Sequence, residues 1–131
     1  SPYSGIVTPN MMNICVKDAK ILGSTVVFSD TIGVATKKEV SLWANIAKKN
    51  KIKSAIHIHH NGNEEKALQT VRYALFEGIT EIDSSIGGLG GCPFVKESGA
   101  NLSTETLVRH LKAWGFECGI DEDKLKPALI K

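Results

Sequence analysis

The sequence predicts an α/β fold built on about three parallel strands with flanking helices, and three observations point to it. Helix-like and strand-like segments alternate along all 131 residues. The first of the strand-like runs, Ser24 to Ser29, is β-branched and aromatic, as strands covered on both faces are. Polar and reactive residues gather just past the ends of those runs, where parallel α/β folds collect their sites.

Each element has its own signals. Thr8-Pro9 reads as a helix cap and first helical position, and Gly23 stops that helix after about Leu22. Ser24 to Ser29 is a strand closed by Asp30. Thr36 and Glu39 have capping-box spacing, opening a helix that continues to about Asn50. Lys53 to His59 is the next strand, and His60-Asn61-Gly62-Asn63 is turn chemistry. Glu64 to Glu77 repeats its apolar residues at helical spacing up to Gly78. Thr80 to Ile86 is the third strand, followed by the Gly-rich loop Gly87 to Pro93. The last main helix runs from about Ser103 to Gly115, and Asp121 is placed to cap a short terminal one.

Strands alternating with helices of this length argue for parallel βαβ units in a single domain, residues 1–131. Three strands cannot close a barrel. They form either a small open sheet or one arc of a larger barrel, since a full (β/α)8 barrel takes roughly 250 residues. Right-handed connections keep chain order, so the His-bearing strand is central and the other two are edges. Exposed edges invite pairing with another chain, either a second copy or the remainder of a barrel.

Composition narrows the function classes. A net charge of +2 is too small to argue for nucleic acid. No apolar run approaches the ~20 residues of a membrane span. The cysteines Cys15, Cys92 and Cys118 form no CxxC pair and no even set, which favours a reducing intracellular compartment over a disulfide framework. Cys15 and Cys118 read as buried, apolar-like residues. Cys92 sits in the Gly-rich loop, where an accessible thiol can exchange a proton. It is expected to be the readily alkylated one.

His57 and His59 are the sharpest pair. Residues i and i+2 on a strand share a face. Two imidazoles side by side suit one divalent cation, and equally read as strand-end polar groups satisfied by neighbours. His60 faces the other way and reads as structural. Asp30 reads first as a turn or capping carboxylate, and Asp83 is similarly ambiguous. The Gly87–Pro93 loop fits neither phosphate-binding pattern and reads as a lid with glycine hinges or as a plain surface loop. Asn101 reads most simply as a helix-capping residue, with an oxygen suited to a hard cation.

His57-Ile58-His59, Ile82-Asp83-Ser84-Ser85, Gly88-Leu89-Gly90-Gly91-Cys92-Pro93 and Gly99-Ala100-Asn101-Leu102-Ser103-Thr104-Glu105 occur in this order. So do Pro2-Tyr3-Ser4-Gly5 and Asp30-Thr31-Ile32-Gly33 before them. Together they resemble the HMG-CoA lyase family over essentially the whole chain. The resemblance implies a partial (β/α)8 barrel, roughly strands six to eight. It implies His57, His59 and Asn101 as ligands of Mg²⁺ or Mn²⁺, Cys92 as a catalytic loop cysteine, and Asp30 beside the reacting carbons. It further implies Glu105 supporting the site and Thr31 on the substrate side. An acyl-CoA would be the substrate, cleaved to acetyl-CoA and acetoacetate.

Three departures stand out. The Asp ligand and catalytic Arg that the family carries on its first strand have no counterpart in these residues. His60-Asn61 stands where the family usually has Asp and then Thr. Ala100 stands where Gly usually precedes the Asn. Two alternatives remain beside the lyase. One is a homocitrate- or isopropylmalate-synthase-type acyltransferase, against which Gly88 to Pro93 argues. The other is a non-catalytic half-barrel that binds metal or a partner chain.

Overall fold

In the computed structural model, which describes residues 7–91 and 99–129, the helices begin where side chains can satisfy free N–H groups. Thr8 accepts from Met11 N at the start of α1 (Pro9–Ile21). Thr36 and Glu39 form a reciprocal capping box on α2 (Lys37–Asn50). Asn63 caps α3 (Glu64–Phe76), and Ser103 caps α4 (Thr104–Ala113) by accepting from Thr106 N. Asp121 accepts from Asp123 N before α5 (Glu122–Leu129).

Between the helices lie β1 (Val26–Asp30), β2 (Ser54–His60) and β3 (Glu81–Asp83). They are parallel, in the order β1-β2-β3, with Ser29 opposite His57 and His57 opposite Asp83. The central place of the His-bearing strand therefore matches the expectation from chain order. One face of the sheet packs on the helices. Phe28 stacks on Trp43 of α2 with ring centroids 5.6 Å apart. Ile56, Ile58, Val40, Val71 and Ala74 close the same core. The other face carries His57 and, at neighbouring register positions, Ser29 and Asp83.

Several expectations need correction. The third strand is shorter than Thr80–Ile86, because Ser85 leaves the sheet. Its N–H donates to Leu102 O, and its carbonyl accepts from Thr104 N. A short strand, β4 (Ala100–Asn101), was not anticipated. It pairs antiparallel with the end of β2, placing His59 opposite Asn101. Asn101 is thus a strand residue and not a helix cap, a task that Ser103 performs. Cys15 is exposed and Cys118 half-buried. α1 buries only Val16 fully, so its cysteine lies on the outer side. Cys92 lies outside the described residues.

Brief iodoacetamide treatment of the folded chain should therefore modify Cys15 before Cys118, as read by peptide mass spectrometry. Faster labelling of Cys118 would mean that α1 does not lie as described.

Candidate metal centre

The candidate site sits where β2 ends, and strand geometry alone brings its parts together. His57 and His59 project from one face, with their Nε2 atoms 2.9 Å apart and their rings edge-on at a centroid distance of 4.9 Å. Cross-strand pairing puts Asn101 beside His59. The Asn101 amide is anchored by its Nδ2, which donates to Leu89 O at 2.8 Å. Its Oδ1 is buried and has no hydrogen-bond partner among the described residues. Leaving a buried acceptor unsatisfied costs about 1–3 kcal/mol.

These residues fit a hard divalent cation. The 2.9 Å separation of the two Nε2 atoms is a hydrogen-bond distance, with one ring donating to the other, and it leaves two ring nitrogens close enough to face a single ion. The amide oxygen supplies a third donor that nothing else in the described site uses. Among the described residues no group of three His, Cys, Asp or Glu side chains converges, so the candidate donors here are two imidazoles and an amide.

The electrostatics favour a neutral His59. Burial lowers its pKa below the usual 6.5, and the neighbouring His57 lowers it further. A hydrogen bond with the Gly99 backbone and the negative charge of Asp30 act the other way, less strongly. A neutral imidazole is the form that binds a metal. Next to His57 stands Asp83, whose Oδ2 lies 3.8 Å from His57 Nδ1.

The remaining candidates have defined places. Asp30 is completely buried; its Oδ2 accepts from Ala35 N at 2.7 Å and its Oδ1 from Ile32 N at 3.4 Å. It is the turn carboxylate that its position suggested, and it also lies within electrostatic reach of His59. Thr31 is buried next to it. Both oxygens of Glu105 lie 3.1 Å from Gly87 N, so its carboxylate holds the one-turn 3-10 helix Ile86–Gly88 in place. His60 has a buried Nδ1 without a hydrogen-bond partner in the described structure.

Sequence reasoning left Asp83 and Gly99 out of the site. Asp83 becomes visible only through the β2–β3 register. Gly99 packs so tightly on β2 that a Cβ there would overlap the His60 carbonyl. Gly33 meets the same strand end from the opposite side; a Cβ on it would fall 2.8 Å from His59 O, and its φ is +68°.

Two outcomes follow. Gly99→Ala should destabilise the chain by about 1–3 kcal/mol in urea titration, because the strap formed by Gly99 and β4 must back away from β2. An unchanged midpoint would mean that the strap has room to spare. His59 binds its proton less readily folded than unfolded. Its contribution to stability is therefore full above the unfolded value of 6.5 and lost as pH falls through the lowered folded value. His59→Gln should flatten the loss of stability between about pH 7 and pH 5, measured by denaturant unfolding at each pH. Parallel curves for the two proteins would remove His59 as a cause.

Comparison with known proteins gives a consistent set of relatives. The HMGL-like family model matches residues 3–129. Mouse cytoplasmic 3-hydroxy-3-methylglutaryl-CoA lyase is 32% identical over 128 residues, covering 97% of this chain and 37% of its own length. The HMG-CoA lyase of Brucella melitensis superimposes with a TM-score of 0.83 at 34% identity, over 99% of this chain and 46% of that one. The Acinetobacter baumannii HMG-CoA lyase, in complex with coenzyme A and 3-methylmalate, has a TM-score of 0.82 at 28% identity, over 98% and 44%. This chain spans less than half the length of these relatives, and its sheet and helices match part of their barrel. With the family model spanning residues 3–129 and the fold shared at this level, the chain belongs to the HMGL-like family.

Proposed function

We propose that this chain supplies part of the active site of a metal-dependent carbon–carbon lyase, acting on 3-hydroxy-3-methylglutaryl-CoA to give acetoacetate and acetyl-CoA. The observation that carries this reading is the placement of His57 and His59 on one strand face, with Asn101 and its unpartnered Oδ1 opposite His59, at the C-terminal edge of a sheet in this family's fold. The relatives named above are lyases, which favours cleavage over synthase-type condensation. One of them holds coenzyme A, which supports an acyl-CoA substrate.

In this reading His57, His59 and Asn101 hold Mg²⁺ or Mn²⁺. When bound, the ion would supply Lewis-acid polarisation and a template for the substrate's oxygen atoms. The reaction removes the tertiary hydroxyl proton, breaks the bond between C2 and C3, and leaves the acetyl-CoA carbon as an enolate that must gain a proton. A His57 ring with Nε2 on the ion and a proton on Nδ1 has no lone pair left, so its ligand and base roles exclude each other. Asp30 is then this chain's remaining candidate for the first proton transfer, and its carboxylate would have to leave the N–H groups of Ile32 and Ala35. Cys92 is assigned the second transfer, to the enolate carbon. Thr31 is assigned to the substrate side. Glu105 acts through the Gly87 turn at the foot of the Gly-rich loop.

Calorimetric titration with Mn²⁺ tests the ligand assignment. The chain should bind the ion, and His59→Ala should weaken binding by at least about tenfold. Equal binding by both would remove His59 from the site. A coupled assay for acetoacetate should show weak turnover by these 131 residues alone, because the resemblance places an Asp ligand and an Arg on a strand that they do not include. Loss of an oxyanion-stabilising donor typically costs about 10²–10³ in rate. Robust turnover would show that a residue of this chain replaces them.

A further inference from the structure

Resting on the cation reading above, we propose that Ser85 is the positioning residue for Asn101. Its hydroxyl holds the Leu89–Gly90 peptide with the carbonyl turned toward Asn101. That carbonyl takes the amide nitrogen and leaves Oδ1 for the ion.

Three contacts make the relay. Ser85 Oγ donates to Leu89 O at 2.7 Å. Asn101 Nδ2 donates to the same oxygen at 2.8 Å. A carbonyl oxygen has two lone pairs, so both donors are served at once. Gly90 closes in on the amide as well: a Cβ there would fall 2.8 Å from Asn101 Nδ2. Oδ1 is buried and has no hydrogen-bond partner among the described residues, so it is the end of the amide that the relay leaves over. Ser85 is itself anchored by backbone bonds, its N–H to Leu102 O and its carbonyl from Thr104 N. The hydroxyl is thus placed by the same stretch of chain that carries Asn101.

The peptide needs holding because it can turn over. Leu89 has φ −63° and ψ 143°, and Gly90 has φ +100°. These lie near the values for the two central residues of a type II turn, about −60° and +120° followed by a φ of about +80°. Turning the peptide plane between them over gives type I geometry, which glycine also adopts. In the turned form the Leu89 carbonyl points the opposite way. Asn101 Nδ2 then faces the Gly90 N–H, a donor against a donor. Losing one hydrogen bond of ordinary strength shifts such a balance by about two- to tenfold.

The ordinary reading of the Ser85 hydroxyl is a local turn bond. It predicts an unchanged Asn101 amide when the hydroxyl is removed, and the two readings separate on that point. The test uses the ¹⁵N-labelled chain free of metal. Asn101→Ala assigns the side-chain amide pair by its loss. In the native chain one Nδ2 proton should exchange slowly with water, and the Gly90 N–H should hold one orientation, read by residual dipolar couplings. Ser85→Ala should speed that exchange by about two- to tenfold and average the Gly90 coupling. Ser85→Thr keeps a hydroxyl, suits the extended backbone there (φ −129°, ψ 148°), and should restore both. Titration with Mn²⁺ should show affinity falling by up to about tenfold in Ser85→Ala and holding in Ser85→Thr.

Unchanged Asn101 and Gly90 signals in Ser85→Ala would overturn the proposal. So would Ser85→Thr behaving as Ser85→Ala does. Where the native chain binds the ion, an affinity loss without an amide change overturns it too, as does an amide change without an affinity loss. If the native chain binds no Mn²⁺, the cation reading fails, and the metal-free signals still decide whether Ser85 sets the Asn101 amide.

Discussion

How closely one backbone can approach another at the end of β2 governs the whole candidate site. β4 (Ala100–Asn101) lies against His59 and His60, and Leu102 N donates to Ile58 O. The turn after β1 closes in from the opposite side through Gly33. Only residues without a Cβ tolerate both contacts. This double approach puts Asn101 beside His59 and buries its amide oxygen. It also places the Gly99 backbone within hydrogen-bonding reach of the His59 ring. A strap lying a few ångströms higher would leave two histidines on a strand and an unrelated asparagine.

The same constraint links the site to the Gly-rich segment that precedes the strap. Ser85 belongs to both: its N–H and carbonyl pair with Leu102 and Thr104, and its hydroxyl donates to Leu89 O. Leu89 O also accepts from Asn101. Glu105, in the first turn of α4, holds Gly87 N between its two oxygens. The segment from Ser85 to Leu89 is therefore fixed at both its ends by residues from the strap and the helix behind it. Whatever the site does, its geometry and that of this turn are set together.

Much of the fold was legible in the residues because local signals and burial agree. Thr8, Thr36, Asn63 and Ser103 begin helices with side-chain bonds that short-range chemistry dictates. The apolar runs at Val26 and Ser54 became adjacent parallel strands in the expected order. The pairing of His57 with His59 followed from the two-residue period of a strand. What was not legible depends on partners distant in sequence. A two-residue strand such as β4 has no periodicity of its own, and only its pairing with β2 defines it. Asp83 is one of several carboxylates until register sets it beside His57. Cys15 looks like any apolar helix residue until the helix is seen to bury only Val16.

Asn101 carries one further consequence, for which of its two faces is which. Its –NH2 group must meet the Leu89 carbonyl, so the amide has a single usable orientation and the oxygen is aimed away from that bond. An isosteric carboxylate would not be equivalent. Deamidation at this position would set two acceptors against each other at the Leu89 end while adding a full negative charge at the buried end. A single chemical lesion would then strengthen the pull on a cation and loosen the turn that the amide ties down. The neutral amide donates to Leu89 O and leaves its buried oxygen without a hydrogen-bond partner among the described residues.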